Sequence, residues 1–166
     1  MPRLHERPFT ASDAPWIAAL FATPHAQPFM QQPSEATVLA MMGRADTIER
    51  IVLDAAGEPA GLWRASLEED WCAELRTIAV AQPGRGIGAW IVRRALAWAF
   101  EECAVHRAML YVTAANVRAR ALYERHGLQL EGVERDGFRN AAGAFEDLCH
   151  YGILERDYTA RSWGHE

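Results

Sequence analysis

A glycine cluster between two regular patterns is the feature that most constrains this chain. Residues 80–98 read VAQPGRGIGAWIVRRALAW, and three glycines, Gly84, Gly86 and Gly88, lie between an apolar run and a long helical pattern. This order predicts a strand, a tight loop and a helix. A helix N-terminus carries unpaired N–H groups and the positive end of the helix dipole, and glycines let phosphates approach those groups closely. The stretch therefore predicts a phosphate-binding loop.

Length and composition set the broad class. The chain has 166 residues, half of them hydrophobic and 23% charged, so residues 1–166 are predicted to form a single soluble domain. No apolar run reaches the roughly 20 residues of a membrane span and no signal-peptide core is visible, so we expect a cytoplasmic protein without a membrane partner. The net charge of −5 argues against a nucleic-acid partner. The cysteines and histidines lack ligand spacing, so no metal is expected.

The first third of the chain predicts one strand and two helices. A short strand is expected over residues 4–10, followed by a helix over residues 15–21. Three prolines then mark residues 23–34 as a loop, and a second helix is expected from residue 34 to about residue 42. The loop and its flanking helices have no motif that identifies a ligand.

The remaining two thirds predict a mixed sheet. Three strands with short links predict antiparallel hairpins. They span residues 48–53, 61–67 and 72–81. A helix over residues 86–103 then connects the third strand to Arg107–Thr113, which predicts that these two strands are parallel. Asn116 caps a last helix, which Gly127 ends. Two closing strands span residues 128–139 and 145–157.

A dinucleotide-binding fold competes for the glycine loop, because residues 84–89 satisfy GxGxxA. That fingerprint also requires an acidic residue at the end of the next strand, about 20 positions on, to bind the ribose. Residues 103–115 contain neither aspartate nor glutamate. The loop also follows antiparallel strands instead of opening the fold. Both observations argue against NAD.

Three segments together resemble the Gcn5-related N-acetyltransferase (GNAT) superfamily, especially its small bacterial amino-acid and protein N-terminus acetyltransferases. They are ELRTIAVAQPGRGIGAWIVRRAL, LYVTAANVRARALYERHGLQLEG and FEDLCHYGIL. The resemblance covers about residues 48–157. It implies an α/β fold with a mixed, mostly antiparallel sheet, a splayed parallel strand pair and helices on both faces. It also implies acetyl transfer from acetyl-CoA to a primary amine of a small molecule or peptide by direct attack, and it is compatible with a homodimer.

The same resemblance assigns cofactor-binding residues. The strand before the loop is expected to hold the pantetheine arm of the cofactor through Ile78, Ala79 and Val80. The loop and the start of the helix are expected to bind the pyrophosphate through Arg85, Gly86, Gly88 and Ala89. The loop is shorter than the usual family form, and Pro83 occupies a position that commonly holds arginine or glutamine.

Asn116 and Tyr123 lie seven residues apart and therefore share a helix face. By resemblance, Asn116 helps to hold the cofactor arm, and Tyr123 is the general acid that protonates the departing thiolate. Two structural interpretations remain open: Asn116 as a helix N-cap and Tyr123 as a core residue.

Direct attack requires an unprotonated amine, so the enzyme must accept a proton, directly or through water. Glu74, on the strand that leads to the glycine loop, is the candidate general base, and a solvated strand carboxylate is the alternative. The run Glu68, Glu69 and Asp70 is interpreted as a soluble hairpin tip rather than as a docking patch.

Two functions follow from these residues. One is an acetyl-CoA-dependent N-acetyltransferase. The other is a catalytically inactive acyl-CoA-binding regulatory module of the same fold. The presence of both Asn116 and Tyr123 favours the enzyme, whereas the identity of the acceptor amine is not readable from the sequence.

Overall fold

The computed structural model describes residues 3–30, 33–41 and 46–159. In chain order its elements are β1 (His5–Pro8), α1 (Ala14–Phe21), α2 (Glu35–Met41), β2 (Thr47–Leu53), β3 (Pro59–Glu69), β4 (Cys72–Val80), α3 (Ile87–Ala97), β5 (Arg107–Thr113), α4 (Val117–Arg125), β6 (Gln129–Arg139), β7 (Phe145–Leu154) and α5 (Glu155–Thr159). Two residues of the predicted loop, 31 and 32, and the predicted end of the second helix at residue 42 lie outside the described residues.

The seven strands form one sheet in the order β1-β2-β3-β4-β5-β7-β6. Every neighbouring pair is antiparallel except β4 and β5, which are parallel. The predicted mixed, mostly antiparallel sheet is therefore confirmed. The parallel pair lies where the helical connection between the two strands predicted it.

The parallel pair is short, and this shortness creates the site. Residues 72–74 pair with residues 107–109, but β4 continues to Val80 and β5 to Thr113. The other edge of β5 stays paired with β7 along its whole length. The two strands therefore separate after three paired residues on each strand. Beyond that point, the backbone edges that face each other are free for a ligand.

Two hydrophobic layers cover the two faces of the sheet. Ile51 and Leu62 pack with the apolar residues of α1 and α2. The next residues along the same strands, Val52 and Trp63, pack on the opposite face with α3. Successive strand residues point to opposite faces, so the alternation places one helical layer on each side. The expected helices on both faces are confirmed.

The helix after the glycine loop differs from its prediction at the C-terminal end. The α-helical part ends at Ala97, and Trp98–Glu102 forms a π-helical turn in which the N–H of Cys103 donates to the carbonyl of Trp98 at 2.9 Å. The wider turn allows three consecutive residues, Trp98, Ala99 and Phe100, to be buried. A 3.6-residue period does not bury three in a row, so the sequence pattern predicted only a continuous α-helix.

The last predicted strand was too long. Residues 155–157 do not continue β7 but begin α5, where the N–H of Glu155 donates to the carbonyl of His106 at 2.9 Å. The helical turn brings Tyr158 into the core, where its ring stacks on Phe100 with centroids 4.8 Å apart. Among the helices that the structure describes, none combines the length and apolar character needed to cross a membrane.

Candidate functional site

A cavity of about 570 Å³ lies between the parted ends of β4 and β5. The glycine loop, the start of α3, the first turns of α4 and the segment between α1 and α2 complete its walls. Eight of the ten predicted site residues line it: Ile78, Ala79, Val80, Gly86, Gly88, Ala89, Asn116 and Tyr123. Glu74 and Arg85 are not among the lining residues, and a second cavity of about 620 Å³ at the start of β2 contains none of the ten.

The register of β4 decides which of its backbone groups face the cavity. Val80 lies opposite Gly61, and the next pair is joined by the N–H of Ala81 donating to the carbonyl of Ala60 at 2.8 Å. Hydrogen-bonded and non-hydrogen-bonded pairs alternate in an antiparallel ladder. The N–H and C=O groups of Val80 and Ile78 therefore point away from β3 toward the gap, whereas those of Ala79 point toward β3.

The glycine loop presents the N-terminus of α3 to the cavity. Gly84 has φ +88° and Gly86, the N-cap, has φ +80°, so both lie in the left-handed region that other residues rarely adopt. Among the residues that the structure describes, no side chain caps the helix. The first-turn N–H groups and the positive end of the helix dipole are thus left for an anion.

Arg118 is a site residue that the sequence analysis missed. Its side chain lines the cavity, and its guanidinium lies 3.6 Å from the position that a Cβ on Gly84 would occupy. Within the described ranges Arg118 has no ion-pair partner. A cation in the first turn of a helix opposes the helix dipole. That unfavourable placement was the available signal, because it indicates a cation retained for a bound anion.

Asn116 acts as the predicted N-cap of α4, since its side-chain oxygen accepts a hydrogen bond from the N–H of Ala119 at 3.2 Å. Its amide nitrogen has no partner among the described residues, and the side chain lines the cavity. The capping role is confirmed. The capping bond uses only the oxygen, so the nitrogen is available to a ligand.

Tyr123 lines the cavity and is buried, with 8% of its surface exposed. Burial raises the pKa of Tyr123 to about 12. Its hydroxyl has no hydrogen-bond partner in the described part of the chain. A phenol in this environment keeps its proton at neutral pH. The side chain is a core residue by packing, and it is also able to donate a proton to a group in the cavity.

Glu74 lies on the sheet face covered by α1 and α2, near the paired end of β4. Burial raises the pKa of Glu74, and the nearby positive charge of Arg76 opposes this effect. The Arg76 guanidinium lies 3.3 Å from the Glu74 carboxylate and also binds Glu68 at 2.7 Å. Arg76 itself lines the cavity. The structure thus places an arginine, not the glutamate, at the cavity wall.

The segment between α1 and α2 closes the other side of the cavity. His25, Phe29 and Met30 line it together with Tyr111 of β5. The Nε2 atom of His25 lies 2.9 Å from the carbonyl oxygen of Val80, so the ring N–H can donate to a backbone group of β4. This contact spans 55 positions in the sequence and could not be inferred from spacing. It joins the first third of the chain to the strand that leads into the glycine loop.

A metal-based site has no support in the described ranges, where no group of histidine, cysteine, aspartate and glutamate side chains could hold a metal ion. The three cysteines are all unpaired. The one cysteine beside a histidine, Cys149, is buried, while His150 points to the other face and lies 3.2 Å from the Glu134 carboxylate. That histidine is therefore not placed to activate the thiol.

The parted strands, the uncapped helix behind a glycine loop and the buried tyrosine define an α/β protein built around a cleft with an anion-binding end. Residues 15–128 match the acetyltransferase (GNAT) family. The chain therefore belongs to that family, and the resemblance of its motifs is confirmed.

A curated relative matches a shorter stretch. The chain is 35% identical over 75 residues to the protein named Putative ribosomal N-acetyltransferase YdaF from Bacillus subtilis (strain 168). The matched stretch covers 45% of this chain and 40% of that relative, so it spans less than half of the relative's length.

Solved structures share the fold over almost the whole chain. A spermidine N-acetyltransferase from Vibrio cholerae in complex with CoA and spermine superposes with a TM-score of 0.83 at 23% identity, covering 94% of this chain and 98% of that one. A dodecameric structure of spermidine N-acetyltransferase from the same organism gives 0.77 at 24% identity, with 96% and 98% covered. At these identities the likeness concerns the fold.

Proposed function

We propose that the chain is an N-acetyltransferase that moves an acetyl group from acetyl-CoA to a primary amine of a small molecule or peptide by direct attack. The observation that carries the proposal is one cavity that is lined both by the uncapped N-terminus of α3 and by the buried Tyr123. Membership of an acetyltransferase family supports the same reaction.

The residues that line the cavity fit the chemical groups of coenzyme A. The first-turn N–H groups of α3, with Arg118 beside the loop, suit a pyrophosphate. Arg85, which is exposed on the loop, would add only long-range positive charge. The backbone groups of Ile78 and the N–H of Val80 face the gap and suit the amides of an extended arm, whereas the Val80 carbonyl contacts His25. The amide nitrogen of Asn116 offers a further donor. Ala79, whose backbone faces β3, would contribute only apolar contact.

Bound acetyl-CoA would supply the acetyl group as a thioester. Tyr123 would supply a proton from its Oη atom to the leaving sulfur, and its raised pKa ensures that the proton is present at neutral pH. Glu74 is retained as the proposed general base. Because it lies outside the cavity wall beside Arg76, it would accept the proton through water.

The acceptor side favours an amine that also has an apolar part. Phe29, Met30 and Tyr111 offer apolar and aromatic surface there, and an aromatic face attracts an alkylammonium group. The structural relative from Vibrio cholerae is a spermidine N-acetyltransferase, so polyamines belong among the candidates together with amino acids and peptide N-termini. We also propose that the protein is cytoplasmic and forms a homodimer.

The proposal is tested by titrating the purified chain with coenzyme A and then assaying acetyl transfer to a panel of amines. We expect saturable binding and transfer to at least one of spermidine, a free amino acid or a peptide N-terminus, measured as thiol release. Tight binding of coenzyme A without transfer to any amine would support the inactive acyl-CoA-binding module instead. Failure to bind coenzyme A would contradict both functions.

A further inference from the structure

Thr113, the last residue of β5, has a polar group that the fold leaves unused. Its side chain lines the cavity where β5 has parted from β4. The residue is 3% exposed, and its hydroxyl oxygen is buried without a hydrogen-bond partner in the described part of the chain. A buried hydroxyl without a partner destabilises the fold, because its lost hydration is not replaced. Such groups are uncommon in native proteins and often mark a function.

Two hydrogen bonds fix the backbone around Thr113. The carbonyl of Thr113 accepts a hydrogen bond from the N–H of Asn116 at 3.0 Å. The next residue, Ala114, donates its N–H to the carbonyl of Asp147 at 2.8 Å. These bonds fix the end of β5 against β7 and the start of α4. Rotation about one side-chain bond exchanges the hydroxyl and methyl positions and can turn the hydroxyl toward the cavity.

The opposite wall of the gap shows what kind of ligand would satisfy this hydroxyl. There the backbone N–H and C=O groups of Ile78 and Val80 face the gap, as the register of β4 requires. On the β5 side, the backbone N–H of Thr113 faces the gap, and the hydroxyl of Thr113 and the amide nitrogen of Asn116 add side-chain groups. A chain-like ligand with amide groups along its length can form hydrogen bonds with both walls at once.

We propose that the Thr113 hydroxyl binds the pantetheine arm of coenzyme A from the β5 side of the gap, through a hydrogen bond to an amide or hydroxyl of that arm. This assignment rests on the proposed function. The acceptor amine is the less favoured partner, because Arg76 and Tyr111, which line the acceptor side, lie nearer the paired end of the two strands.

The experiment compares two ligands that differ only in the arm. Coenzyme A and adenosine 3′-phosphate 5′-diphosphate, which has the phosphates but no arm, are titrated by calorimetry into the wild type, Thr113→Val and Thr113→Ser. Valine keeps the shape without the hydroxyl, and serine keeps the hydroxyl. We expect Thr113→Val to weaken coenzyme A binding about 5-fold, to leave the armless nucleotide within about 2-fold, and Thr113→Ser to bind both like the wild type.

Thermal unfolding without ligand provides a second readout. Thr113→Val removes an unsatisfied buried hydroxyl, so its Tm should equal or exceed that of the wild type. A clear fall in Tm would show that the hydroxyl already has a partner within the fold and would overturn the proposal. Thr77→Val on β4 is the matched control, because Thr77 does not line the cavity, and it should leave both ligand affinities unchanged.

The remaining outcomes are distinguishable. If Thr113→Val binds coenzyme A as tightly as the wild type, or weakens both ligands equally, the inference is wrong while the proposed function stands. If Thr113→Val changes only the KM for the amine, the hydroxyl belongs to the acceptor side and the inference is again wrong. If the wild type binds no coenzyme A, the proposed function fails and the inference fails with it.

Discussion

The two ends of the cavity are built in different ways. The phosphate end consists mainly of backbone groups from a nearly continuous stretch, the end of β4, the glycine loop and the first turn of α3, with the Arg118 side chain beside the loop. The acceptor end consists of side chains from three separate places, the segment between α1 and α2, Arg76 of β4 and Tyr111 of β5. One end depends on local chain geometry, and the other depends on which elements the fold brings together.

This difference has a functional consequence. A binding end made of backbone groups is conserved in geometry whenever the strand, loop and helix form, because any residue contributes N–H and C=O groups. An end made of side chains changes its chemistry with each substitution. Recognition of the acetyl donor therefore depends on the fold, whereas recognition of the acceptor depends on a few side chains. The two ends should respond separately to mutation.

The largest expected effect on acetyl transfer comes from Tyr123→Phe. This substitution removes the proposed proton donor without removing the ring, so kcat should fall by about 100-fold while the Kd for coenzyme A stays within about 2-fold. Stopped-flow or steady-state thiol release gives kcat, and calorimetry gives Kd. The fall should be present across pH 6 to 9, because burial raises the pKa of Tyr123 to about 12 and the proton is retained throughout that range.

Tyr158→Phe is the matched control for Tyr123→Phe. Tyr158 is also a buried tyrosine, but its hydroxyl donates to the Glu101 carboxylate away from the cavity. This control should lower stability without lowering kcat. Equal kcat values for Tyr123→Phe and the wild type would remove Tyr123 from the mechanism and leave it as a core residue.

The acceptor end depends on the attachment of α1, which an ion pair fixes to the sheet. The Asp13 carboxylate binds the Arg7 guanidinium of β1 through two contacts of 2.7 Å. The hydrogen bond from Arg7 lowers the pKa of Asp13 to about 2. A carboxyl group with a lowered pKa stabilises the fold above its unfolded-state pKa, and the contribution is lost as pH falls through the folded-state value.

Asp13→Asn should therefore reduce the free energy of unfolding by about 2 kcal/mol at pH 7 and by much less near pH 2. Urea unfolding at the two pH values measures both quantities. The KM for the amine should rise in the variant, because α1 positions the segment that lines the acceptor end. The affinity for coenzyme A should not change, because α1 does not line the phosphate end. Asp70→Asn, an exposed aspartate of the β3–β4 turn, serves as the control and should show neither effect. A pH-independent loss in Asp13→Asn would contradict the ionic origin of the stability.

The contrast between the two ends also explains what the sequence could predict. The glycine loop and the N-cap at Asn116 were predictable because each depends on residues close together in the chain. The parallel pair was predictable because a helix connects its two strands. The missed features depend on distant contacts. Arg118 becomes relevant only when α4 is placed beside Gly84, and the exclusion of Glu74 from the cavity wall follows from the arrangement of Arg76 between two carboxylates.

Two boundary errors have the same origin. The π-helical turn at Trp98–Glu102 and the helix α5 are favoured by burial of Phe100 and Tyr158 against each other, 58 positions apart. Local patterns predicted a regular α-helix and a longer strand at these places. Tertiary packing decided the actual geometry, as is common at the ends of elements.

His25 tests whether the two ends respond separately to mutation. Its ring lies 2.9 Å from the carbonyl oxygen of Val80 on β4, which leads to the phosphate end. His25 itself belongs to the segment between α1 and α2, at the acceptor end. His25→Ala removes the contact and should raise the KM for the amine about 5-fold, as expected for one hydrogen bond of about 1 kcal/mol, and leave the Kd for coenzyme A within about 2-fold. His25→Gln retains a side-chain N–H donor and should restore most of the loss. The opposite result, a weaker affinity for coenzyme A with an unchanged amine KM, would show that the segment between α1 and α2 covers the cofactor arm. In that case the acceptor specificity would have to reside in Arg76, Tyr111 and their neighbours on the sheet.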